Sequence, residues 1–391
     1  ITTVDLSIEL GSGWNWFSIN VEDNDNPIND VLSSIDAEPN DFIKGQTASA
    51  EYYEEFGWYG ALTSIDVEQM YNLNVVHPST LEYTGIPADP LSTPIALFDG
   101  WNWIGYLPQN AGAIDAALTS IGDSGQFIKN MTASAEYYEE FGWYGSIENM
   151  YSGDGYMLQV TGQAELIYPD FEENDELARL NTVKELPLSI SNWMINPHSY
   201  EFNGTLTLSI DNMQDNPGDY IGVFMGDECR GVAEYMDFPF DNEDRGIYIL
   251  MVYGEAIEEG EELTFQYYSS DNKEIIGYTE SIAFVPDMIH GDGFRTFGLY
   301  HVMPNEFSFA RAYPNPFNPV TTLEFTIPVD INVILEVYDI NGRLIKTLIK
   351  SDMEAGYHSV IWNADQYSSG MYFVKMISGE YVNTQKLMLV K

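Results

Sequence analysis

Fourteen residues, TASAEYYEEFGWYG, stand at positions 47–60 and again, unchanged, at 132–145. A verbatim repeat of that length constrains architecture more than composition does, because both copies must be compatible with one local fold. The repeat extends beyond the identical stretch. "GWNW" at Gly13 returns at Gly100, "FIK" at Phe42 returns at Phe127, and "YNLNV" at Tyr71 is echoed by "YMLQV" at Tyr156, at offsets of 87, 85 and 85. Two tandem units follow, residues 1–86 and 91–169, joined by the Pro-rich "GIPADPLSTP".

Each unit opens with an alternating strand ("VDLSIEL", "PIALF") followed by an aromatic "WNW" strand. The spacing then predicts a helix in "NPINDVLSSID". Asn26 is placed to cap it, Pro27 suits the first turn, and Ile28, Val31, Leu32 and Ile35 share one face. Ile114, Leu118 and Ile121 repeat that pattern in the second unit. The duplicated stretch reads as two aromatic strands, "SAEYY" and "WYGAL", around the turn "EEFG".

Residues 170–184 form an acidic connector, and residues 185–303 read as wholly β. "TLTLSI" alternates strictly, and "YIGVFMGDECRGVAEY" is a hairpin turning at Gly226 and Asp227. Residues 306–391 open with "YPNPFNP" and continue in strands, with Asn341 and Gly342 as a two-residue turn. The expected fold class is multidomain and mainly β: two tandem α+β repeat units followed by two β-sandwich, Ig-like modules.

The formal charge is −46, and such a surface repels nucleic acid and anionic membrane while attracting cations. That charge sits mostly in the front of the chain. Before Arg179 there are 30 acids against two bases, Lys44 and Lys129, whereas residues 306–391 hold nine acids and seven bases. Cys229 is the only cysteine, so neither an intrachain disulfide nor a CxxC zinc site can form. None of the five histidines falls in HExxH or another close metal-ligand pair, and no GxSxG elbow, phosphate loop or dinucleotide fingerprint occurs. A non-catalytic role is expected.

From Tyr313 onward, "YPNPFNP", "VYDINGR", "AGYHSVIW", "SSGMYFVK" and the terminal "KLMLVK" appear in order. This set resembles the C-terminal sorting domain of bacterial type IX secretion substrates. The resemblance implies export across the outer membrane, with the domain as an address read by the secretion machinery, and an extracellular or cell-surface location. It leaves the cargo's action open, since enzymes, adhesins and surface-layer proteins all carry such a domain. "GDECRGVA", "YGE" and "LTFQYY", together with the "GWNW" repeats, are similar to modules of large secreted proteins of such bacteria.

Three sets of candidate residues remain. The duplicated hairpins offer Tyr52, Tyr53, Phe56, Trp58 and Tyr59, and again Tyr137, Tyr138, Phe141, Trp143 and Tyr144, as rings that stack on sugars or fill a neighbour's pocket. Oxygen ligands for Ca²⁺ cluster at Asp23 and Asp25, at Asp211, Asp215 and Asp219, and at Asp241, although Asp and Asn also simply make good turns. Lys44 and Lys129 occupy equivalent places, each expected to form one ion pair or, more sharply, a covalent crosslink of the kind surface adhesins use. Tandem units with one aromatic face suit head-to-tail self-assembly into a filament, sheath or surface layer. The alternative is a carbohydrate-binding or adhesive protein whose hairpins grip polysaccharide.

Overall fold

Strands make up nearly all the regular structure of the chain in a computed structural model. It describes residues 2–174, 185–211, 215–240, 246–255, 262–271, 273–300, 306–310, 312–353 and 355–391. Most of the acidic connector, and Asp241 of the Ca²⁺ candidates, lie outside the described residues. Two compact units divide the chain: Ile1–Leu206 with Met251–Ala256 and Pro286–Asp292, and Thr207–Leu250 with Ile257–Val285 and Gly293–Lys391.

Within the first unit the two repeats fold alike. Each forms a five-stranded antiparallel sheet. In the first repeat its order is Gly13–Phe17, Tyr71–Val75, Phe42–Lys44, Ser49–Tyr53, Gly57–Gly60; in the second, Gly100–Gly105, Gly155–Val160, Gly125–Lys129, Ser134–Tyr138, Gly142–Gly145. The repeated "GWNW" is explained by its asparagine. Asn15 Nδ2 donates to the carbonyls of Gly11 and Gly13 while its Oδ1 accepts from Gly11 N–H, and Asn102 does the same with Phe98 and Gly100. Each amide therefore pins the turn that starts the aromatic strand.

The repeats share one hydrophobic core, running from Leu6 and Phe17 through Trp58 and Leu73 to Tyr106, Trp143 and Tyr168. Polar links cross the same seam: Asn20 Nδ2 donates to Pro108 O at 3.0 Å, and Ser18 Oγ donates to Asp154 O at 2.6 Å. Approach is close enough to demand glycine at Gly105, where a β-carbon would lie 2.1 Å from Val67 O.

The helix expected from Asn26 onward is a single turn, Ile28–Val31. Its apolar face is as expected, with Ile28, Val31, Leu32 and Ile35 all buried. Asn26 does not cap it. The residue before the helix is Pro27, which offers no side-chain acceptor, and Asn26 Oδ1 instead accepts from Asp23 N–H at 2.8 Å and the Tyr83 hydroxyl at 3.1 Å. A helix without a cap has little to offset the cost of its nucleus, so packing holds one turn and no more. The second repeat has the matching turn Ile114–Ala117, followed by a 3₁₀ segment, Thr119–Ser124.

The strand Phe202–Asp211 runs through the boundary between the units. In the first unit Thr205 and Leu206 pair in parallel with Ile289 and His290. The second unit carries a four-stranded sheet ordered Glu228–Glu234, Tyr220–Met225, Glu262–Ser269, Glu274–Ala283, whose first hairpin turns at Gly226 as expected. Its C-terminal module packs a three-stranded sheet (Ser308–Phe309, Val320–Ile327, Gly356–Asn363) against a four-stranded one (Leu344–Met353, Ile331–Asp339, Gly370–Ser378, Tyr381–Leu389). The core between them centres on fully buried Trp362, with Phe317 and Tyr372 rings at 5.2 and 5.3 Å. The turn expected at Asn341 and Gly342 is wider, because Asp339 Oδ1 accepts from both Asn341 and Arg343 N–H and holds four residues in the loop.

Candidate functional site

Each copy of the duplicated stretch is a hairpin at the edge of its sheet, with Tyr52 opposite Trp58 and Tyr137 opposite Trp143. Alternation sends the tryptophan inward. Trp58 is 4% exposed and Trp143 8%, each meeting its tyrosine with ring centroids at 5.6 and 5.4 Å. Asn29, on the helical turn, seals the edge: its Oδ1 accepts from Trp58 N–H at 2.7 Å and its Nδ2 donates to Trp58 O at 3.1 Å. Asp115 accepts from Trp143 N–H in the second repeat. The same side chains crowd Gly57 and Gly142, whose φ of 71° and 84° also require glycine.

Packing thus accounts for the inward half of the motif and leaves the outward half unexplained. Phe56 and Tyr59 are 71% and 72% exposed, and Tyr53 is 43% exposed with its hydroxyl donating to Glu51 at 2.9 Å. The second copy is more covered: Phe141 is exposed, whereas Tyr138 and Tyr144 are half-buried. There Tyr138 donates to Glu136 at 2.7 Å, and burial, with Asp292 adding repulsion, pushes the Glu136 carboxyl up to about 8.

The equivalent lysines have different surroundings. Lys44 pairs with Glu201, both partly accessible, under the rings of Trp14 and Phe202. Lys129 is 1% exposed. Its Nζ lies 2.7 Å from Asp287 Oδ1, 2.8 Å from Asn203 Oδ1 and 3.2 Å from Asn203 O, with the rings of Trp16 and Trp101 at 5.6 and 5.3 Å. Asn203 and Asp287 were invisible to sequence reading, lying 74 and 158 residues from Lys129.

Among the described residues the Ca²⁺ candidates form no set of three or more ligands, although Asp215 and Asp219 lie close enough to repel each other. Asp23 and Asp25 lie exposed in a turn where Asn24, Asp25 and Asn26 all have positive φ. Asp219 is fully buried, but protein donors take its oxygens: Asn216 N–H, Ser270 N–H, the Ser270 hydroxyl and the Tyr267 hydroxyl, at 2.6–2.7 Å. Asp215 is partly accessible, burial pushes its carboxyl up, and Asp211 lies on a strand. Among the described residues no three metal-ligating side chains gather to hold an ion. Asp219 organises its loop, and Asp219→Asn is expected to destabilise this module by about 2–3 kcal/mol, since an amide cannot accept from all four donors. Denaturant unfolding of the full chain checks this.

In the C-terminal module "YPNPFNP" is zipped to the last strand. Asn315 acts as a strand residue through its side chain, donating to Lys386 O and accepting from Met388 N–H, both at 2.9 Å. Phe317 then exchanges backbone hydrogen bonds with Met388 and Val390 and buries its ring beside Trp362. Residues 311–391 match the family model of the secretion system C-terminal sorting domain. The C-terminal module is a type IX sorting domain. The sorting domain marks the protein for export, extracellular or attached to the outer cell surface, and implies interaction with the type IX machinery. A search of curated proteins returned no match for the chain.

Proposed function

We propose that this exported protein is a non-catalytic structural component that self-associates through the outward rings of its duplicated hairpins. One observation carries the reading: the identity of the two copies extends to Tyr53, Glu54, Glu55, Phe56 and Tyr59, which are exposed in the first hairpin and on which packing makes no demand. Core packing tolerates volume-conserving change, and an exposed position under no other constraint tolerates more. Because Asn29 occupies the edge backbone at Trp58, the hairpin offers rings rather than a free strand edge. The first copy, with Phe56 and Tyr59 the most open, is the primary contact, and a heterologous contact of this kind extends into fibres or layers when it does not close. Cations offset the repulsion between subunits of charge −46 diffusely.

Electron microscopy of the full chain at moderate salt, with Ca²⁺ and then with a chelator, tests this. Ordered filaments or sheets are expected, and Phe56→Ser with Tyr59→Ser should disperse them. Dispersed monomers of the unaltered chain under both conditions would sink self-assembly. Binding of polysaccharide that is lost in the same double variant would then make adhesion the function of these rings.

A further inference from the structure

Lys129, Asn203 and Asp287 have the arrangement of a reaction centre rather than of a simple ion pair. A buried lysine needs one carboxylate, and Asp287 supplies it at 2.7 Å. A second acceptor, the Asn203 side-chain amide, stands at 2.8 Å, so its carbonyl carbon is one bond beyond the atom the amine already touches. The amide cannot turn away, because Asn203 Nδ2 donates to Asn130 O and Met131 O at 3.3 and 3.2 Å. Two indole rings wall the amine, and water is excluded from it. Asp287, by contrast, keeps 37% of its side chain accessible, which leaves an exit for a small leaving group.

We propose that Lys129 and Asn203 condense spontaneously into an intramolecular isopeptide bond, with Asp287 as the proton carrier. The ammonium of Lys129 gives a proton to the Asp287 carboxylate, and the freed lone pair of Nζ attacks Cγ of Asn203. Asp287, now an acid, hydrogen-bonds to Oδ1 as charge develops there. The tetrahedral adduct then collapses as the Nζ proton passes by way of Asp287 to Nδ2 and the Cγ–Nδ2 bond breaks. Ammonia leaves and takes the remaining proton as ammonium, which restores the carboxylate. No oxidant or cofactor is consumed. Burial favours the first step, since it pushes the Lys129 ammonium below its ordinary range against the opposing pull of Asp287. Holding amine and amide together in a dry site supplies much of what an uncatalysed amide exchange lacks.

Lys44 is the internal control. It occupies the same place in its repeat, but its partner is a glutamate and it is about a fifth exposed, so it keeps a free amine.

Intact-mass spectrometry of the purified full chain, followed by tryptic mapping, decides the matter. The expected result is a chain lighter by one ammonia, uncleaved after Lys129, with the Asn203 peptide joined to that fragment. Because Gly204 follows Asn203, a succinimide would cost the same ammonia. The joined fragment, not the mass alone, is therefore the readout. Lys44→Arg should keep the linkage and Asp287→Ala should lose it. An unmodified mass, a succinimide without joined peptides, or a deficit of one water joining Lys129 to Asp287 would each overturn the proposal, and none of these depends on a variant that folds.

Discussion

Trp58→Ala is expected to destabilise the first unit by about 3–5 kcal/mol, the range for emptying a large buried aromatic site. The side chain is 4% exposed, meets Tyr52 edge-on and belongs to the core shared by both repeats. Asn29 cannot move in to fill the space, since its side chain is held by the Trp58 backbone on both its donor and its acceptor. Phe56→Ser and Tyr59→Ser, in the same hairpin, should change stability by no more than about 0.5 kcal/mol. Thermal unfolding followed by circular dichroism separates the cases. A small loss for Trp58→Ala would mean that the hairpin is an ornament on its sheet, and a large loss for Phe56→Ser would mean that its outward rings serve packing rather than contact.

The second large effect is a dependence of first-unit stability on pH. Glu136 has its carboxyl raised from 4.5 to about 8, mainly by burial. A folded pKa above the unfolded one gives stability that is whole below about 4.5 and is lost as pH rises through about 8. His290 is the reverse, since burial lowers its imidazole from 6.5 to about 4. Its contribution is whole above about 6.5 and is lost as pH falls through about 4. The two slopes oppose each other between about 4.5 and 6.5, where these two contributions nearly cancel. Above that window the His290 contribution no longer changes, and that of Glu136 falls at about 1.4 kcal/mol per pH unit. The difference between Glu136→Gln and the unaltered chain should therefore grow to about 3–5 kcal/mol in favour of the variant by pH 8. Parallel denaturation curves at pH 5 and pH 8 would show it, and a Glu136→Gln chain that loses stability from pH 5 to 8 as steeply as the unaltered one would contradict it.

The sequence and the structure agree where a feature repeats or alternates. The offset of 85 residues and the "YPNPFNP" opening of the sorting domain could be read from spacing or from ordered motifs, whereas Trp58 and Trp143, expected among the contact rings, are turned inward and belong to the core. What could not be read depends on long-range choice. Asn26 has the composition of a helix cap and spends its side chain on a turn and on Tyr83, whereas Asn29, with no such signature, clips the hairpin edge. Asp219 looks like a metal ligand because a buried, hydrogen-bonded carboxylate and a calcium carboxylate are made of the same residue types. Only its neighbours, Tyr267 and Ser270, decide between them. Lys44 and Lys129 match in sequence position, yet one meets a glutamate and the other an amide and an aspartate, all supplied from beyond the repeats.

The core that passes without a break from Leu6 to Tyr168 changes how the duplicated half would carry load. Beads on a string yield one after another, each absorbing work as it opens. Two repeats that interdigitate at Gly105 and share buried side chains cannot open separately. Under tension they would behave as one stiff element that holds or fails as a whole, a property suited to a part that must transmit force rather than stretch.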